Sequence, residues 1–351
     1  MKETLNKAIA FGREKIASFK KDPLFLSRWD EPNLRYRDDQ HITSRVNPSG
    51  YRWVGNHYKG TYWMFSEDMH NGIMPFLHVI RRGTPSPFAA RIEPANPGLE
   101  AMLAQAIGGE RHGRDLPEAL CNFIRTETQT LFTYGKVCLE ITVKKDADGN
   151  ITEFDFDDVF PLSLKMIFGR HFQVVPWWVA RHANVKVGIK RIPEESLLIM
   201  SFPKVLGGRR KYVRVIKGLV RLGENLFPKF YLSALQKEKN LGFDLKRYVR
   251  DKYIDTARVT RTFGWNQRKF PDNEILEYYI VHRHLQFEYS QAVIRESFVT
   301  AINSVLKNGL LGFEEQLVVV GVPTSEQIKH EMDLLKECDL SFTEQYQRMT
   351  V

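Results

Sequence analysis

Apolar and polar residues alternate most regularly between positions 137 and 156. Val137-Cys138-Leu139-Glu140-Ile141-Thr142-Val143 is a β-branched, apolar-rich run, and Ile151-Thr152-Glu153-Phe154-Asp155-Phe156 keeps a period of two, the spacing of a strand with one buried face. Between them, Asp146-Ala147-Asp148-Gly149-Asn150 supplies residues that tolerate positive φ, so the pair reads as a β-hairpin. Shorter strands are expected around Leu164–Ile167, Leu197–Phe202 and Leu317–Val320.

Helices are expected in six other places. Residues 2–20 place Leu5, Ile9, Ile16 and Phe19 near one face. A helix over about 116–134 is opened by Asp115 as cap, with Pro117 in the first turn, where its missing N–H costs nothing. The pattern turns helical again after Gly207-Gly208. A long helix then runs from Asp272 or Asn273 to Gly309, carried by Phe287, Ile294, Phe298, Ile302 and Val305. At ~1.5 Å per residue it spans roughly 50 Å, which implies a bundle, a stalk or an assembly interface. Two capping boxes, Thr324 with Gln327 and Ser341 with Glu344, open the closing helices. Residues 22–98, punctuated at Asn47-Pro48-Ser49-Gly50, Pro85-Ser86-Pro87 and Asn96-Pro97-Gly98, are expected to form short strands and long loops. The fold class that results is α+β.

Composition narrows the function more than the fold. The 351 residues are 43% hydrophobic and 26% charged, ordinary for a packed protein and long enough for two units. The net charge of +9 favours an anionic partner. Its distribution is uneven: residues 204–269 hold 18 Lys and Arg against five acids, leaving 33 basic and 37 acidic residues elsewhere. Cys121, Cys138 and Cys338 are too far apart for a CxxC metal site and too few for a disulfide framework, which fits a reducing compartment. No apolar run approaches the roughly 20 residues of a membrane span. Lys2, Glu3, Lys7, Arg13, Glu14 and Lys15 break any signal-peptide core, so the expectation is a protein made in, and assembled in, a cytosol.

Chemistry is mostly absent. There is no GxxxxGK[ST] phosphate loop and no GxSxG elbow. Gly207-Gly208-Arg209-Arg210 lacks the spacing of either and reads as a hinge before a helix. Asp146–Asn150 resembles the start of a calcium loop, yet the sixth position, glycine in an EF-hand, is Ile151. A turn is the better reading. Glu153, Asp155 and Asp157 fall on the solvent side of their strand opposite Phe154 and Phe156, beside Asp158, and His282 and His284 point apart on a helix. No catalytic residue, metal ligand or cofactor is expected, and no enzyme.

The basic stretch is more specific. Arg210, Arg214, Lys217 and Arg221 lie within an arc of about 60° at ~100° per residue, with Arg209 and Lys211 beside them; Val213, Ile216 and Val220 fall on a separate arc that would face a core. No acid lies between Lys204 and Arg221. The stripe is either a solvated face or a surface for sequence-independent phosphate contact. Arg28-Trp29, Arg35-Tyr36-Arg37, Arg52-Trp53, Tyr58-Lys59 and Tyr62-Trp63 interleave rings and cations as single-strand binders do, although packing or interface anchoring explains them more simply.

Residues 117–203 resemble the portal proteins of tailed bacteriophages. A helix ends in Thr130-Leu131-Phe132-Thr133-Tyr134-Gly135 and runs into Lys136-Val137-Cys138-Leu139-Glu140-Ile141; the Asp146–Ile151 turn and return strand follow, then Phe160-Pro161 to Leu164, a Gln173–Pro176 strand, and Ile192-Pro193-Glu194-Glu195 leading to Ile199. The later helices, with Asn303–Leu306 near the end of the long one, look like that family's stem and crown. The family pattern Gly-x-Ser-Pro is replaced here by Phe202-Pro203-Lys204, then Leu206-Gly207-Gly208. The resemblance implies a loop- and strand-rich wing-type domain over 1–205, a basic stem or clip-type helical region over 206–312, and a strand with two capped helices over 313–351. It also implies a homo-oligomeric ring, usually of twelve subunits, at one capsid vertex of the virion. Double-stranded DNA would pass through it during packaging and ejection, and it would meet the terminase packaging motor, head–tail adaptors and the major capsid protein, with no membrane. Arg209, Arg210, Lys211, Arg214, Lys217 and Arg221 would then face DNA. The alternative is a nucleic-acid-binding or processing protein acting as a monomer or dimer.

Overall fold

The computed structural model describes residues 61–74, 88–108, 115–161, 163–175, 188–224, 245–266 and 277–341. Among them α1 (Thr61–Ile73), β1 (Ala89–Glu93), α2 (Pro97–Gly108) and α3 (Leu116–Tyr134) lead into seven of the eight strands and four further helices. β2 (Lys136–Lys145), β3 (Ile151–Asp158), β4 (Leu164–Ile167), β5 (Arg170–Val175), β6 (Gly188–Ile192) and β7 (Leu197–Ser201) follow in succession. The chain continues through α4 (Gly208–Glu224), α5 (Leu245–Val259), α6 (Glu277–Leu306), β8 (Gln316–Val320) and α7 (Ser325–Lys336). The mixture is α+β, and the described residues form three small antiparallel sheets ordered β1-β8, β3-β2-β7 and β4-β5-β6.

The helix–turn–hairpin expected from the sequence is present in detail. Asp115 accepts a hydrogen bond from the Glu118 N–H at 3.1 Å, and Gly135, at φ 71°, donates its N–H to the Leu131 carbonyl, closing α3. β2 and β3 pair from Leu139 opposite Asp158 to Lys145 opposite Ile151. Their turn is held by Asp146, whose Oδ1 accepts from the N–H groups of Asp148 and Asn150 at 3.0 and 2.8 Å. Val137, Leu139 and Ile141 enter the main core, while Cys138 on the other face joins Val159, Leu164 and Ile192 in a smaller cluster. Burial pushes the thiols of Cys121 and Cys138 up to about 12 and about 11, so both stay protonated and inert.

The core unites distant parts of the chain. Tyr62 and Tyr212 both donate to the Phe132 carbonyl, at 3.1 and 2.7 Å. Phe202 stacks on Tyr212 with ring centres 3.9 Å apart, and Phe263 and Trp265 pack edge-on to Phe65. One cluster therefore gathers residues from Tyr62 to Leu317 and runs across the 205/206 boundary drawn from the sequence.

Three expectations are corrected. Within 22–98, residues 61–73 form a helix, because Tyr62, Phe65, Met69 and Ile73 supply one buried face; that stripe is masked by the turn-rich sequence on either side. The long helix ends at Leu306, and Gly309 does not adopt the left-handed conformation of a cap. Instead Asn308 accepts from the N–H groups of Leu310 and Leu311, and Gly312, at φ 67°, makes the turn. The buried arc of α4 is Tyr212, Val215, Ile216 and Leu219: Ile216 faces the core as expected, Val213 is only partly covered, and Tyr212, Val215 and Leu219 join the seam. The N-terminal helix, the caps Asp272 and Asn273, the box residue Glu344 and the side chains of Val220 and Arg221 lie outside the described residues.

β4 and β5 join through Phe168 and Gly169, at φ 50° and 73°, the paired positive angles of a type I′ turn. Glycine takes that conformation freely, whereas a β-carbon there costs roughly 1–2 kcal/mol.

Candidate nucleic-acid interface

α4 positions the cations through its own seam. Tyr212, Val215, Ile216 and Leu219 recur at the three- and four-residue spacing of one helix face and are buried. At ~100° per residue Arg210, Arg214 and Lys217 fall opposite that face, and all three are exposed, as is Lys211. Gly218 fits the flank against α5: a β-carbon there would come within 2.7 Å of the Val259 side chain. Among the described residues, Arg210, Lys211, Arg214 and Lys217 form no ion pair, and the first turn of α4 holds no acid. α5 differs, for Asp251 and Asp255 interrupt its cations and Arg258 pairs with Asp255 at 3.4 Å.

Entry to α4 is tight. A short 3-10 turn over Lys204–Leu206 ends at Gly207 (φ 90°), followed by Gly208 (φ 65°). A β-carbon at Gly207 would lie 2.2 Å from Lys211 Cδ, so the double glycine lets the chain reverse directly beneath the first basic turn.

Arg209 departs from its neighbours. It is half-buried, lies over Gly135 and donates from Nε to the Tyr134 carbonyl at 3.3 Å. That places it beside two lysines the sequence did not single out, Lys136 on β2 and Lys165 on β4. Burial lowers both, and Lys165 falls to about 8 because Lys136 and Arg209 add repulsion. Nothing in their spacing announced this, since strand and helix meet only in three dimensions. The site thus splits into an outward face (Arg210, Lys211, Arg214, Lys217) and an inward group built around Arg209.

The other motifs take structural places. Lys144 pairs with Glu153 at 2.7 Å and the Thr142 hydroxyl donates to Asp157 at 3.3 Å. Burial raises Asp155, helped by Glu153 and Asp157. His284 faces Glu288 at 3.2 Å, and His282 stacks on Tyr278. Among the described residues no group of three His, Cys, Asp or Glu is placed to hold a metal ion, and no helix is long and apolar enough to cross a membrane. Of the aromatic-basic segment, Tyr62 and Phe65 are core residues; 28–60 lie outside the described residues.

No protein-family model matches the chain. No curated protein matches it either. Among solved structures, the chain is similar to an HK97-family phage portal protein from Corynebacterium diphtheriae, at 9% identity and a TM-score of 0.37, over 77% of this chain and 97% of that one. At that TM-score the overlap fixes no residue correspondence.

Proposed function

We propose that the chain is a portal protein of a tailed bacteriophage. It forms a homo-oligomeric ring, of twelve copies by the resemblance, at one capsid vertex, and double-stranded DNA is packaged and ejected through it. The packaging motor and head–tail adaptors dock on the same ring, which sits in the major capsid shell of the virion. The role is conduction and docking, with no catalytic step. What supports the reading is the succession from α3 through Gly135 to β7, which runs in the order of the segments that carry the sequence resemblance. It delivers the chain to a helix whose outward face is basic and free of acids up to Glu224.

Such a face suits DNA that must keep moving. Phosphate contacts from Arg and Lys are independent of sequence and weaken steeply with salt. Four neutralised phosphates give a slope of about −3.6 in log K against log salt.

Mass measurement tests the assembly: twelve subunits of 40.9 kDa make a particle of about half a megadalton. Replacing Arg210, Arg214, Lys217 and Arg221 together by Gln should leave the ring intact, flatten the salt slope and reduce retained DNA. Normal packaging by that variant removes the stripe from the conduit. Monomer or dimer alone, with tight sequence-selective binding, favours a nucleic-acid-binding protein instead.

A further inference from the structure

The β4–β5 hairpin concentrates two unfavourable features on one residue. Phe168 takes a left-handed backbone that bulky side chains avoid, and its side chain is 100% exposed. Neither is offset by packing within the described chain. Met166 beside it is 71% exposed and Ile167 39%, and Ile189 on β6 is 65% exposed. Asn or Asp in place of Phe168 would fit the turn better and remove the exposed ring. An apolar cap at the apex of a hairpin, kept where folding disfavours it, has the character of a contact surface.

The sheet behind the apex is basic. β4, β5 and β6 carry Lys165, Arg170, His171, Lys190 and Arg191 and no acid at all. Its electrostatic complement lies on the same chain. β3 is the edge strand of its sheet, and presents Glu153, Asp155 and Asp157 at alternate positions, next to Asp158 and half-buried Ile151. The strand carries four carboxylates, of which Glu153 pairs with Lys144.

We infer that the Phe168 hairpin is a knob that docks on the β3 edge of a second copy of this chain, the apolar apex covered against the strand and the basic flanks facing its carboxylates. Knob and receiver are different surfaces, so the contact is head-to-tail, the kind that propagates and closes into rings. The inference deepens the ring reading above and rests on it for closure; the pairwise contact requires only two copies. The apex alone is far smaller than the roughly 1,600 Å² of a standard interface, so it specifies register within a larger contact.

Sedimentation of the full chain, with thermal melting as the fold control, tests this. Phe168→Asn should melt at the wild-type temperature or above, while its assembly midpoint moves at least tenfold to higher concentration. Arg170→Glu with Arg191→Glu should weaken assembly, as should Asp155→Lys with Asp157→Lys, and combining the two sets should restore most of what each loses. Wild-type assembly by Phe168→Asn, or no restoration in the combined variant, overturns the contact while leaving the ring reading standing. A wild-type chain that stays monomeric at every concentration overturns both. Loss of binding to phosphatidylserine vesicles by Phe168→Asn, with assembly unchanged, would make the apex a membrane contact and also overturns the inference.

Discussion

α4 and α6 both carry arginines, and they use them in opposite ways. On α4 Arg210, Lys211, Arg214 and Lys217 face out, opposite a four-residue apolar seam, and among the described residues they form no ion pair. On α6 the arginines face in. Arg283, 4% exposed, donates to the carbonyls of Trp265 and Ala257, to Asn266 Oδ1 at 2.7 Å and to the Thr260 and Tyr279 hydroxyls, with its guanidinium 5.7 Å from the Tyr279 ring centre. Arg295, 7% exposed, donates to the Ile73 carbonyl at the end of α1 and to the Pro323 carbonyl. Its neighbour Glu296 is turned to the N–H and hydroxyl of Ser325. A guanidinium with several donors can cap loose chain ends inside a protein without a carboxylate partner. Basic charge on a helix thus makes an outward surface only where the opposite face already packs.

Breaking the inward set should be the more destructive change. Arg283→Met leaves two buried carbonyls and Asn266 without their donor, at a loss of about 3–4 kcal/mol in a urea melt. Arg295→Met uncaps α1 and the turn before α7 and should cost about 2–3 kcal/mol by the same measurement. Next comes His70, in the last turn of α1, where burial and then Arg125 lower its pKa from 6.5 to about 4. The folded state therefore holds it neutral. Its contribution is complete above pH 6.5 and disappears as pH falls toward 4, because the unfolded chain takes up the proton first. The loss is on the order of 2–3 kcal/mol over that window, and His70→Gln should flatten it. Asp148→Ala in the exposed hairpin turn should cost no more than about 1 kcal/mol, and calcium should leave the melting temperature unmoved. Smallest of all, Arg214→Gln on the outward face should change stability by less than about 0.5 kcal/mol while reducing the magnitude of the salt slope by about 0.9.

What was legible in the sequence was local. The Asp115 cap, the Asp146–Asn150 turn and the Thr324–Gln327 box are patterns within a few residues, and each is found where expected. The cation stripe of α4 was legible for the same reason, since helical spacing alone places Arg210, Arg214 and Lys217 together. What escaped depends on partners far along the chain. α1 is helical among turn signals because Phe65 and Met69 have a core to enter and Gln291 reaches the Asp68 and Met69 carbonyls. Gly72 is small because that glutamine passes within 2.0 Å of where a β-carbon would stand. Lys136 and Lys165 join Arg209 only through the sheet and the helix–strand packing.

The pairing of β1 with β8 sets an order of events in time. Ala89 lies opposite Val320 and Glu93 opposite Gln316, and Arg295 reaches back to Ile73. A ribosome adding about 5–20 residues per second takes roughly 10–45 s to pass from one partner strand to the other. Throughout that interval β1 has no partner strand, and the side of α1 that receives Gln291 and Arg295 from α6 is still uncovered for most of it. The nascent chain must be kept from sticking to its neighbours until its last third emerges, so the yield of folded protein should depend more on translation speed and chaperone supply than on the stability of the finished fold.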